Sequence, residues 1–152
     1  MLYLLLKWLH VLAAIVAVGA NITYGIWLAR ASRQPDALPF TLRGIKLIDD
    51  RLANPAYGLL LVTGLAMMFT GRLSLTTPWL LTALVLFVLV VLVGLLGFTP
   101  TLTRQIRLLD SEGIDSPGYQ AAARRGIMIG VILAVLVTVI IYLMVVKPGL
   151  WR

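Results

Sequence analysis

Four unbroken apolar stretches, each about as long as a bilayer is thick, constrain this chain more than any motif in it. About 20 residues of helix, rising 1.5 Å per residue, cross the hydrocarbon layer. Hydrocarbon offers no hydrogen-bond partners, so only helices and closed barrels can cross it. The stretches run without the apolar–polar alternation that a barrel strand needs, which leaves helices. The expected fold is therefore all-α: a polytopic membrane protein with four transmembrane helices in a bundle. The spans fall at about 5–28, 52–70, 79–99 and 126–146, within a single domain of residues 1–152.

Local signals set the ends of the spans. Arg30 and Arg33 close the first, and Gly71 with Arg72 the second. Pro55 lies near the start of span two, where a helix tolerates proline best. Pro78-Trp79 opens span three, and Pro100 predicts a kink or a stop. Ser116-Pro117 reads as an N-cap followed by proline at the first helical position, so the fourth helix begins well before its span. Pro148-Gly149 stops it. In the loop between spans one and two, Leu42, Ile45, Ile48 and Leu52 share one helical face, with Arg43, Lys46 and Asp50 on the other. That pattern fits either a helix lying in the membrane interface or an N-terminal extension of span two. Residues Met1 to Ala20 lack a basic segment ahead of the apolar run, and Lys7 falls inside it. They are expected to remain as the first span rather than act as a cleaved signal.

Charge sets the expected orientation. Nine basic residues (Arg30, Arg33, Arg43, Lys46, Arg51, Arg104, Arg107, Arg124 and Arg125) lie in loops one and three, against Lys7, Arg72, Lys147 and Arg152 opposite. The positive-inside rule then places loops one and three in the cytoplasm and both termini outside. Trp8, Trp79 and Trp151 would form an outer aromatic belt, and Trp27 an inner one. The same asymmetry accounts for a net charge of +7 without invoking nucleic acid, which is not an expected partner. The lipid bilayer is, and a homo-oligomer or a partner in a membrane complex stays open. The chain has no cysteine, which excludes disulfides, thiolate metal sites and cysteine catalysis.

Polar residues inside a span usually face the bundle interior. On span one, His10, Ala14, Ala17, Asn21 and Tyr24 are spaced four, three, four and three, so they share a face. His10 is the one histidine. Zinc would need three or four ligands, which the spans do not supply. Copper(I) could use the thioethers of Met67, Met68, Met128 and Met144, although methionine at this frequency suits packing as well. Haem asks less, since one histidine suffices for a five-coordinate iron. In that case His10 is the metal ligand, Ala14 and Ala17 leave room for a flat macrocycle, and Asn21 and Tyr24 reach its polar edges. Met144, at a matching depth, is the candidate second axial ligand. The alternative is a histidine that anchors its helix at the headgroups. On span four, Gly126, Gly130 and Ala134 form a small-residue series that implies close packing within the chain or between chains. No nucleophile with a histidine and an acid stands in a motif, and no phosphate-binding glycine loop is present, so an enzyme is not expected.

Lys7-Trp8-Leu9-His10-Val11-Leu12, followed by Gly19, Tyr24 and Arg30, resembles the opening helix of several small bacterial membrane families. These include the copper-resistance D domain, the HemJ-type protoporphyrinogen oxidases and, in particular, the domain-of-unknown-function 2269 family. Tyr57 to Met67, with Thr63-Gly64, and the ending Met144-Val145-Val146-Lys147-Pro148-Gly149 are similar to that family too, so the resemblance covers nearly the whole chain. It implies a four-helix bundle in the bacterial inner membrane, with haem b at His10. Two departures argue against the oxidase reaction itself. Ala17-Val18-Gly19 stands where those enzymes carry a tryptophan, and span three has no lysine. The expected function is a membrane protein that binds haem b or takes part in membrane redox chemistry. The alternatives are a copper or small-solute permease, or an accessory structural subunit with no chemistry of its own.

Overall fold

The computed structural model describes residues 1–71, 74 and 76–149. Arg72 as a span stop and charge, Trp151 as a belt residue and Arg152 as a charge lie outside the described residues. The fold is all-helical among the described residues, in the order α1 (Leu2–Ala31), α2 (Leu38–Ile48), α3 (Asn54–Thr70), α4 (Pro78–Val93), α5 (Thr99–Glu112) and α6 (Pro117–Val146). A short 3₁₀ turn, Pro35–Ala37, precedes α2. Four helical rods are long and apolar enough to cross a membrane: Leu2–Ala31, Pro35–Thr70, Pro78–Glu112 and Pro117–Val146.

Two of those rods are composite. A π-helical segment, Asp49–Ala53, joins α2 to α3, and a second, Gly94–Phe98, joins α4 to α5. Each directly precedes an X-Pro pair, Asn54-Pro55 or Thr99-Pro100. Proline brings no N–H, and its ring presses on the carbonyl four residues earlier. Those carbonyls belong to Arg51 and Leu96, both inside the π-segments. The wider π-turn shifts bonding by one residue. Asn54 N–H donates to Asp49 O and Thr99 N–H to Gly94 O, each five residues back. Pro100 therefore does not stop its helix. The charged segment of loop one is likewise continuous with span two, which decides between interfacial helix and extension in favour of the extension.

The rods run antiparallel. At the end that carries the termini, a Cβ added to Gly71 would fall 2.7 Å from Tyr3 Cε2, and Lys147 Nζ sits 5.5 Å from the centre of the Trp79 ring. Trp8 is exposed near this end and Trp27 near the other, the loop end. There Gly113, at φ 84°, turns the chain out of α5 in a backbone conformation that favours glycine. Ser116 Oγ then accepts from Tyr119 N–H at 3.1 Å and caps α6, with Pro117 at its first turn.

The two ends pack differently because their solvents differ. Between helices in lipid there is no hydrophobic driving force, and small residues allow backbones to touch. Ala13 and Ala17 of α1 accordingly pack against Ala56 and Leu60 of α3, while Leu4, Ile15 and Val135 stay exposed. The loop end holds a second core, with Leu38, Leu42 and Ile45 of α2 packed with Tyr24, Phe98, Leu102 and Tyr119. Arg43 Nη2 donates to both carboxylate oxygens of Asp110, at 2.9 and 3.0 Å, on its outer surface.

Candidate functional site

Asp49 lies on the apolar side of its helix, four residues after Ile45 and seven after Leu42. That register carries its carboxylate inward, where it is 4% exposed. The two π-segments bring both proline turns to it. Thr99 Oγ1 donates to Asp49 Oδ2 at 2.8 Å, and Asn54 Nδ2 stands 3.5 Å from the same oxygen. Oδ1 receives no hydrogen bond from the described residues. It is not sealed either, because Tyr24 Oη is the one enclosed side-chain polar atom among them without a partner. The ion pairs among the described residues are Arg43–Asp110 and Lys46–Asp50, so no cation lies within 4 Å of Asp49. A buried charge is usually paired, which marks this one out.

Asp49 opens on a cavity of about 150 Å³ between the rods. Asn21, Asn54 and Tyr57 supply the rest of its polar lining, and Leu61, Val90, Leu95, Phe98 and Leu133 line its apolar side. Asn21 Nδ2 donates to Tyr57 Oη at 2.5 Å and to Ala17 O at 2.9 Å. The amide protons of Asn21 are thereby committed and its carbonyl oxygen is free. Gly58 and Gly94 also line the cavity, and a Cβ on either would meet nothing within 4 Å. Tyr24 lies behind the wall, stacked on Phe98 with centroids 5.9 Å apart and planes 5° from parallel.

The structure divides the predicted site residues between two places. Asn21 and Tyr24 belong to the Asp49 site. His10 lies eleven residues earlier on α1, roughly 16 Å along the axis, and meets α3 instead. Its Nδ1 is 2.9 Å from Thr63 Oγ1, and a Cβ on Gly64 would fall 3.2 Å from its Cε1. Ala17 is fully buried at the α1–α3 contact, packed with Ala56 and Leu60. Met144 is exposed on the outside of the bundle, as is Met128. Among the described residues no three His, Cys, Asp or Glu side chains converge to hold a metal ion.

Asp49, Asn54, Tyr57 and Thr99 are the residues that the sequence reading missed. The signal for Asp49 was its register, since it interrupts an apolar face. The signal for Asn54 and Thr99 was their shared place before a proline.

A family model described as a predicted integral membrane protein, DUF2269, matches residues 4–148. No curated protein and no solved structure matches the chain.

Proposed function

The chain belongs to the DUF2269 family of predicted integral membrane proteins, and on that premise we propose that it binds a small solute inside the bundle, as a permease does. One observation carries this reading. A 4%-exposed carboxylate keeps one oxygen without a donor among the described residues, and that carboxylate lines a cavity. Satisfied polar groups are the rule in protein interiors, and an unsatisfied one in a cavity is a place for a ligand. The solute would rest against α3 and α4 where Gly58 and Gly94 leave space, with its polar end toward Asp49, Asn21 and Asn54. The basic asymmetry supports a site on the cytoplasmic side of a bacterial inner membrane in this reading.

The test is solute entry into proteoliposomes, followed by light scattering after osmotic shock with small neutral, cationic and anionic solutes. At least one solute should enter faster through wild type than through Gly58→Leu, which adds a side chain to the cavity wall. If wild type, Gly58→Leu and protein-free liposomes behave alike for every solute, the reading is wrong.

A second reading, haem at His10, is favoured by a separate observation. Thr63 Oγ1 lies 2.6 Å from Leu59 O and 2.9 Å from His10 Nδ1. When its proton goes to Leu59 O it accepts from His10 Nδ1–H, and that tautomer leaves a lone pair on Nε2, the state a metal ligand requires. The residues fit to that extent: His10 would hold the iron and Thr63 would orient the ring. A bound haem would supply one-electron chemistry. Asn21, Tyr24 and Met144 have no part in this reading.

A further inference from the structure

We infer that the solute of the Asp49 cavity is a primary ammonium ion with a short apolar body. This rests on the reading of the cavity as a solute site. The argument begins with which hydrogen-bonding atoms the site leaves over. Asp49 Oδ1 has no donor among the described residues. The carbonyl oxygens of Asn21 and Asn54 have none either, and neither is sealed. Three residues that line one cavity therefore each carry an acceptor oxygen with no donor among the described residues. On the donor side the surplus is two protons: that of the Tyr57 hydroxyl, whose oxygen already accepts from Asn21, and the second amide proton of Asn54, whose other one faces Asp49.

A primary ammonium carries three N–H donors and no acceptor. It matches the surplus in number and in sign. A carboxylate would find two free donors but the charge of Asp49 against it. A neutral alcohol would leave acceptors unfilled, and an unfilled buried polar group costs more than a typical bond returns. The carboxylate needs a cation for the same reason, since a buried ion is tolerable when it is paired. The rings of Phe98 and Tyr57 line the same space, and aromatic faces attract cations.

The rest of the cavity sets the body of the ligand. Its other walls are apolar, with Leu61, Val90, Leu95 and Leu133 among them. A volume of about 150 Å³ equals roughly five water molecules at about 30 Å³ each, which suits a ligand of about six heavy atoms. A linear C5 amine has that size.

The probes are n-pentylammonium, n-pentanol and n-pentanoate, titrated into the protein in lipid nanodiscs with thermal stability as readout. Ligand binding to the native state raises stability with concentration. Pentylammonium should stabilise wild type saturably and the other two should not. Asp49→Asn, which keeps the side-chain shape and loses the charge, should weaken the amine by roughly thirtyfold or more. Gly58→Leu should abolish its effect and leave the unliganded protein as stable as before. Stabilisation by pentanol or pentanoate that Gly58→Leu removes would overturn the amine and keep the cavity as a solute site. Stabilisation by no probe, or an effect that survives in Gly58→Leu, would overturn both. If Asp49→Asn does not fold, the comparison of the three probes on wild type and Gly58→Leu decides alone.

Discussion

One hydroxyl governs the single histidine of the chain. Thr63 Oγ1 lies within hydrogen-bond distance of both Leu59 O and His10 Nδ1, so the ring is oriented before any ligand arrives. If haem b binds, protein expressed with haem supply should show a Soret band that disappears in His10→Ala. In Thr63→Val, which loses the acceptor and keeps the shape, the band should weaken or shift. Absence of the band in wild type, or an undiminished band in His10→Ala, ends the haem reading. At this scale, part of the candidate site was legible from residue types alone. Asn21 was visible because a polar side chain inside a span points inward, and it does line the cavity. Asp49 was not, because it sits in a charged segment beside Asp50, where a carboxylate passes for solvated surface. Only its register with Leu42 and Ile45 distinguishes it.

Among the elements, the four spans were legible because hydrophobic length is a strong and local signal. The π-segments were not. Proline announces that a helix is disturbed, but whether it stops, kinks or widens depends on what packs around it. Here the widened turns face one another and share the carboxylate of Asp49. Span four offers a similar lesson. Its small-residue series splits in the structure. Gly126 faces α5, with Gln105 Oε1 3.6 Å from where a Cβ would stand, whereas Gly130 has nothing within 4 Å and Ala134 is exposed. The helix-to-helix contact expected within the chain thus exists at Gly126 and not at Gly130. Gly130→Leu should leave the thermal stability of the detergent-solubilised monomer nearly unchanged, within the roughly 0.5 kcal/mol of an exposed substitution. A marked fall in melting temperature would show that this face of α6 is packed.

At the scale of the molecule, the basic residues of loops one and three gather at the loop end, together with all six acidic residues. Orientation in the membrane follows from the excess of basic charge there. Single cysteines at Gly113 and Ser74 should therefore respond oppositely to an impermeant thiol reagent in intact cells, with position 74 labelled and position 113 protected. The reverse pattern would invert the topology and put the Asp49 cavity toward the outer side. The fold class was legible because a bilayer leaves few choices to a chain this apolar. The second core at the loop end was less so, since it depends on α2 packing against α5, a contact between residues far apart in sequence.

That division into two cores bears on what stability means for this protein. Urea and guanidinium act by solvating surface that unfolding exposes to water, so they reach the packing of Leu42 and Ile45. The alanine contacts between α1 and α3 lie where lipid, not water, is the competitor. Thinning the bilayer or stripping its lipid reaches those instead. A denaturant curve and a delipidation curve would report on opposite halves of the same four rods. No single free energy of unfolding describes the whole, and the two halves can fail independently.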